Sequence, residues 1–305
     1  MNKAARSLLA LVLCICALVC AFGETASATA VKPQVQWTYP ISVTSLQSKY
    51  AMLVNVDNLL EKTYKPAPLI KVKNVKRATS ATVELEETTA NALKEMFDAA
   101  LAVTEYTYTV VDSKGKEKEV TATYEDGMVL YLKSGYRSYG TQATIYANYL
   151  DRNNGVDDGY VAKPGSSEHQ SGFCADILNK KWAGLDRMTQ DFENEAEAYW
   201  MKENCAKYGF ILRFPKNKEE STKIAYEPWH FRYVGTEIAG YIMAKGMTLE
   251  EFTAESQAAL EDFLSRGGNI EEQMEYEYLS ENLPLESNIL DIYGEDGDPE
   301  VSLSF

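Results

Sequence analysis

Histidine is almost missing from this chain: two stand among 305 residues. Both fall in short segments rich in other metal-binding residue types, Ser167-Glu168-His169-Gln170-Ser171-Gly172-Phe173-Cys174-Ala175-Asp176 and Glu227-Pro228-Trp229-His230. With no histidine elsewhere, the background against which a metal site is usually argued is gone. Cysteine is scarce too. Of five, Cys14, Cys16 and Cys20 lie in an apolar N-terminal run, so only Cys174 and Cys205 remain beyond it, an even pair that admits one disulfide in an oxidising compartment. Beyond that run no segment is apolar enough to cross a bilayer. A basic stripe is also lacking, which argues against nucleic acid as a partner.

The chain begins like an export signal: Lys3 and Arg6 precede an apolar stretch from Leu8 to Phe22, and small residues then offer cleavage after Ala28 or Ala30. Removal of residues 1–30 leaves about 275 residues, enough for one large domain with extensions, and no membrane span; an uncleaved run kept as an anchor is the alternative. The net charge of −15 is concentrated at the other end. From Leu249 to Phe305 there are sixteen acidic residues and one basic residue, Arg266, while the preceding 248 residues balance to zero. Residues 31–50 read as a linker, 51–252 as the functional domain and 253–305 as an acidic extension. Pro284, Gly294, Gly297 and Pro299 break that extension, and loosely docked or disordered chain is expected beyond Asn269.

Within the domain, apolar residues at helical spacing predict a helix over about 88–103. Alternating β-formers around Asp112-Ser113-Lys114-Gly115-Lys116 predict a hairpin over 106–124. Further strands are expected at 129–133, 210–214 and 227–234. Helices are expected at 141–151, 194–208, stopped by Gly209, and 236–245, stopped by Gly246. Thr248 and Glu251 form a capping box for a last helix ending near Ser265. Mixed short strands and helices of this kind predict an α+β fold, a single domain with a small antiparallel sheet packed by helices.

His169, Asp176 and His230 meet the requirement of a catalytic zinc site, three protein ligands with a further position left for water. The seven-residue step from His169 to Asp176 would place them on opposite sides of a straight strand, so the chain must bend between them, most cheaply at Gly172. Pro228 keeps Glu227 and His230 from sharing a helix face, which makes this a strand-borne site. Glu227, three residues from a ligand, is the expected general base; its structural alternative is a pairing with Arg232.

Together with Ser134-Gly135-Tyr136-Arg137-Ser138-Tyr139-Gly140-Thr141-Gln142, and with Phe231-Arg232-Tyr233-Val234-Gly235 after His230, these segments resemble the D-alanyl-D-alanine carboxypeptidases of the vancomycin-resistance type, in order and in spacing. The likeness runs from about Met52 to Phe252. It implies an exported Zn2+ peptidase of α+β fold that removes the terminal D-alanine from peptidoglycan stem peptides. It implies zinc at His169, Asp176 and His230, the base at Glu227, and a carbonyl- or oxyanion-stabilising role for Arg137. Ser167 and Gln142 would help hold the peptide's C-terminal end. An L,D-carboxypeptidase acting on tetrapeptide stems and a non-catalytic wall-binding module with structural zinc are the alternatives.

Two positions depart from the family pattern. Phe214 stands where tyrosine is frequent, and Cys174 replaces the usual alanine. Cys174 admits three readings: a bridge to Cys205, a small buried thiol in the alanine slot, or a competitor for zinc on the Asp176 face of a strand. The oligomeric state has no signature in the sequence.

Overall fold

The computed structural model describes residues 32–282, except 112, 113, 159 and 186. The expected export signal, the hairpin tip at Asp112 and Ser113, and the end of the acidic extension lie outside the described residues. In chain order the main elements are β1 (Leu69–Lys71), β2 (Lys76–Arg77), β3 (Glu84–Glu86), α1 (Glu87–Leu101), β4 (Glu105–Val111), β5 (Glu117–Thr123) and β6 (Tyr131–Ser134). There follow α2 (Tyr139–Arg152), β7 (Cys174–Leu178), α3 (Ala196–Asn204), β8 (Phe210–Leu212), β9 (His230–Tyr233), α4 (Thr236–Lys245), α5 (Leu249–Ser265) and α6 (Ile270–Asn282).

The central sheet has the order β2-β6-β7-β9-β8, antiparallel except where β2 runs parallel to β6. Two antiparallel ribbons, β1 with β3 and β4 with β5, complete the strands. The class is therefore the expected α+β, with a small and mostly antiparallel sheet. β7 has neighbours on both sides, and all five of its residues are buried.

Two-residue periodicity decides what each strand face does. On β7, Ala175 and Ile177 enter the main apolar core, with Phe231 of β9 beside them. That leaves Cys174 and Asp176 on the other face of β7, and His230 and Arg232 on the corresponding face of β9. The register sets Asp176 opposite His230 and Cys174 opposite Arg232. β8 divides in the same way: Phe210 and Leu212 join the main core, whereas Ile211 joins a second core with Ile238 and Ile242 of α4 and Leu249 and Phe252 of α5.

Local chemistry explains the helices around the sheet. The Glu86 carboxylate caps α1 by accepting from the Thr89 amide at 3.2 Å, and Leu93, Met96, Phe97 and Ala100 form its buried face. The capping box at Thr248 and Glu251 starts α5 as predicted.

Four expectations need correction. The stretch drawn as a linker folds: Ile41 and Val43 are buried, and short helical turns occupy Val43–Leu46 and Lys49–Ala51. The boundary at 252 cuts through α5, whose Phe263 is fully buried against Trp37 with ring centroids 5.3 Å apart. A compact unit spans Trp37–Gly267, and α6 lies outside it. That last helix is itself the third correction, since residues 270–282 are helical rather than irregular. Asn269 begins it, its side-chain oxygen accepting from the Glu271 amide at 2.9 Å and its amide donating to Glu272 at 3.1 Å. Finally, β9 starts only at His230, because Pro228 and Trp229 form a turn closed by the His230 amide donating to the Glu227 carbonyl at 3.1 Å. His230 and Asp176 are strand-borne; Glu227 is carried by the turn. No helix among the described residues is long and apolar enough to cross a membrane.

Candidate metal centre

The bend expected between His169 and Asp176 is present. A short helical turn, Glu168–Ser171, carries His169 and ends at Gly172, whose φ of +74° is left-handed. A Cβ on Gly172 would stand 2.8 Å from Pro66 Cγ, so both conformation and space call for glycine. Past it the chain enters β7 and delivers Asp176 to the same place as His169. The end of β6 supports the arrangement from beside: the Arg137 amide donates to the His169 carbonyl at 3.0 Å, and Gly135 lies so close to β3 that a Cβ there would meet Glu84 O at 2.6 Å.

Both imidazoles are buried, and each is held by its outer nitrogen. His169 Nδ1 is 2.6 Å from the Gly135 carbonyl oxygen, which can only accept, so Nδ1 carries the proton. His230 Nε2 faces the Glu168 carboxylate at 3.4 Å. The nitrogens left facing inward are His169 Nε2, 3.4 Å from Asp176 Oδ2, and His230 Nδ1, 3.2 Å from Asp176 Oδ1. The rings stand perpendicular with centroids 5.0 Å apart. Asp176 is 3% exposed, yet its Oδ1 has no hydrogen-bond partner among the described residues. A buried carboxylate oxygen left in that state, beside two inward-facing imidazole nitrogens, fits a cation at their meeting point.

The field there favours positive charge. Burial and the Arg137 charge lower the His169 imidazole, yet Cys174 and Asp176 outweigh them and raise it to about 9. His230 is raised well above its ordinary value despite burial, chiefly by Cys174 and Asp176. Burial opposes ionisation of Asp176, but the two histidines hold its carboxyl far below the usual carboxylate range. Imidazoles, a carboxylate and a nearby thiol form a donor set suited to a divalent ion of intermediate softness.

Glu227 Oε2 lies 3.5 Å from His230 Nδ1, on the side of the site that opens to a cavity of about 160 Å³. Burial, with a contribution from Asp176, raises its carboxyl to about 7, against the opposing pull of His230, His169 and Arg137. Arg137, Gln142 and Ser167 line the same cavity. Arg137 Nε and Gln142 Oε1 are buried without partners among the described residues, while Gln142 Nε2 donates to the Ala162 carbonyl at 2.7 Å. Phe214 is also in the lining, its ring centroid 4.8 Å from that of His230. Every site residue singled out in the sequence except the two cysteines therefore lines this one cavity.

The cysteines stay apart. Both are free, buried thiols, so the bridge between them is not formed. Cys205 sits in the main apolar core, where burial pushes its thiol up to about 12. Cys174 instead faces the imidazoles. Burial raises its thiol, but His169 and His230 overcome that and bring it down to about 7.

A buried charge cluster behind His230 had no counterpart in the sequence reading. Glu168, 3% exposed, accepts from Arg213 Nε at 2.7 Å and from Arg232 Nη1 at 2.8 Å. Arg213 continues to Glu250 on α5 with bonds of 2.8 and 2.6 Å, and Arg232 donates to the carbonyls of Tyr50 and Met52 at 3.2 and 2.7 Å. Arg232 thus pairs with Glu168, not with Glu227. Burial opposes the Glu168 charge, yet Arg213 and Arg232 hold its carboxyl well below the usual range, so it stays an acceptor for His230 Nε2–H. The available signal was weak: a glutamate next to a ligand, and two arginines at inward positions of predicted strands.

Comparison with known proteins points to a peptidase family. Residues 114–236 match the family model VanY, described as D-alanyl-D-alanine carboxypeptidase. The protein YodJ of Bacillus subtilis (strain 168) is 35% identical over 204 residues, covering 66% of this chain and 65% of its own length. The bifunctional D-Ala-D-Ala dipeptidase and D-Ala-D-Ala carboxypeptidase VanXYC of Enterococcus gallinarum is 42% identical over 123 residues, covering 40% of this chain and 64% of its own length. Among solved structures, the LdcB LD-carboxypeptidase is 36% identical with a TM-score of 0.53, covering 66% of this chain and 84% of that one. The chain thus spans a little under two thirds of the length of these two curated relatives. It belongs to the VanY family of peptidases.

Proposed function

We propose that this protein is a zinc-dependent D,D-carboxypeptidase that removes the terminal D-alanine from peptidoglycan stem peptides outside the cytoplasmic membrane. The observation that carries the reading is the convergence of His169 Nε2, His230 Nδ1 and Asp176 on one buried point beside Glu227, at the wall of a cavity. His169, Asp176 and His230 would hold the zinc. When bound, zinc supplies Lewis acidity, lowering the pKa of water to about 7 and polarising a carbonyl.

The remaining chemistry belongs to the chain. Glu227 takes the proton of the attacking water on a carboxylate oxygen and returns it to the departing amine nitrogen, which leaves as D-alanine. A carboxyl raised to about 7 suits both halves of that exchange. Arg137 presents a buried Nε without a partner among the described residues, and its guanidinium meets the negative charge that grows on the carbonyl oxygen. Ser167 and Gln142 position the C-terminal end of the peptide, and the buried Gln142 Oε1, without a partner among the described residues, supports that assignment. Membership of a peptidase family and the cavity at Glu227 weigh against a wall-binding module with structural zinc, which would close its fourth position with another ligand.

The second reading is L,D-carboxypeptidase activity on tetrapeptide stems, favoured by the likeness to LdcB. D-Alanine release from a soluble pentapeptide ending in D-Ala-D-Ala, measured beside the tetrapeptide, separates the two. Release from the pentapeptide is expected; tetrapeptide-only release moves the assignment to L,D specificity, and no release from either defeats both.

A further inference from the structure

Both arms of the charge cluster behind His230 end on one short segment, residues 50–55, which the mechanism above does not use. One arm is Arg232, which is paired with Glu168 and donates to the carbonyls of Tyr50 and Met52. The other runs from Glu168 through Arg213 to Glu250, and there Glu250 Oε1 accepts from Asn55 Nδ2 at 3.2 Å. The same asparagine builds a turn. Its Oδ1 accepts from the amides of Asp57 and Asn58 and from Asn58 Nδ2, each at 3.0 Å, and the backbones of Asn55 and Asn58 bond to each other. That turn is part of the cavity wall, since Val54, Asn55 and Val56 line the cavity together with Arg137 and Glu227. Val54 and Leu60 root it in the interior, and the Leu60 amide donates to the Gly165 carbonyl at 2.8 Å, while residues 56–59 between them are exposed.

We propose that Asn55 is a substrate-positioning residue: its side chain fixes the cavity wall at residues 54–58 to the frame that orients His230, so that peptide and metal site are held in register. The inference rests on the carboxypeptidase reading above and adds a residue to it. Asn55 suits the task because its two ends do different work. The carbonyl end caps the turn, and the amide end gives the wall its hold on Glu250. An aspartate could do only the first, and would set a second negative charge against Glu250. The metal ligands depend on Asn55 little, because without it Glu250 keeps its bonds to Arg213 at 2.8 and 2.6 Å, and Arg213 keeps Glu168. Loss of the amide end should therefore weaken the hold on peptide and spare the hold on zinc.

Exchanging the two side chains tests this. Asn55→Asp, Glu250→Gln and the double variant Asn55→Asp/Glu250→Gln are compared with the parent protein; in the double variant amide and carboxylate have changed places, so the bond forms in the reverse direction. For each, kcat and KM of D-alanine release are measured on soluble pentapeptide and tetrapeptide, and zinc affinity by chelator competition. Peptide binding is measured by calorimetry on the zinc-loaded proteins carrying Glu227→Gln. Asn55→Asp is expected to raise KM and weaken peptide binding roughly tenfold, the loss of one hydrogen bond to a charged acceptor, with kcat and zinc affinity kept. The double variant should bind peptide better than either single variant. Unchanged KM and binding in Asn55→Asp would overturn the role of Asn55, and so would a double variant no better than Asn55→Asp. Zinc affinity that falls in step with peptide affinity would overturn it too, making Asn55 a support of the metal site alone; all three results leave the carboxypeptidase reading standing. A zinc-loaded parent protein that releases D-alanine from neither peptide would overturn that reading and the role of Asn55 with it.

Discussion

Glu227 and Glu168 lie on opposite sides of His230 and have opposite electrostatic fates. Glu227 meets Nδ1 at a cavity wall with a raised carboxyl, while Glu168 meets Nε2 in the interior, kept ionised by two arginines. Their substitutions should therefore separate chemistry from binding. Glu227→Gln is expected to lower D-alanine release by roughly 10²–10⁴-fold with zinc content unchanged by elemental analysis. Glu168→Gln should instead weaken zinc binding by about 10–100-fold in a chelator competition, because the carboxylate that orients His230 is lost. Only the first of these residues was legible in the sequence. Glu227 sits in a short local motif with its ligand, whereas the role of Glu168 depends on Arg213 and Arg232, 45 and 64 positions away. Long-range pairing of this kind leaves no local pattern.

At the scale of elements, periodicity and caps were read well and chain bends less so. The capping box of α5, the stops at Gly209 and Gly246 and the hairpin follow from local rules that the fold leaves intact. The helix at 270–282 was missed because its dense carboxylates hide any apolar stripe, although Asn269 and Glu272 spell a capping pair. Gly172 is the opposite case, a bend deduced from the step between two ligands. Gly172→Ala should cost about 1–2 kcal/mol for the left-handed backbone, with a further loss from the contact with Pro66, measured as a fall in Tm together with weaker metal uptake.

For the whole molecule, the compact unit rather than the acidic composition marks where the functional body stops. A chain ending after Gly267 should keep the Tm and turnover of the full chain, since the unit is complete there. One ending at Phe252 should be strongly destabilised, because α5 then loses Phe263; Phe263→Ala alone should cost about 3–5 kcal/mol in denaturant unfolding. The acidity that dominates the sequence says little about this boundary, since α5 itself carries acidic residues on a helix that is anchored in the core.

The charge cluster behind His230 also has a consequence in time. It joins the carbonyls of Tyr50 and Met52, through Arg232, Glu168 and Arg213, to Glu250. These groups lie about 200 residues apart along the chain, and contacts of such separation form late in folding. Zinc capture during refolding should therefore track the last kinetic phase, not the first collapse. A nascent polypeptide that has not yet closed both ends of this cluster would hold the two histidines without orienting them.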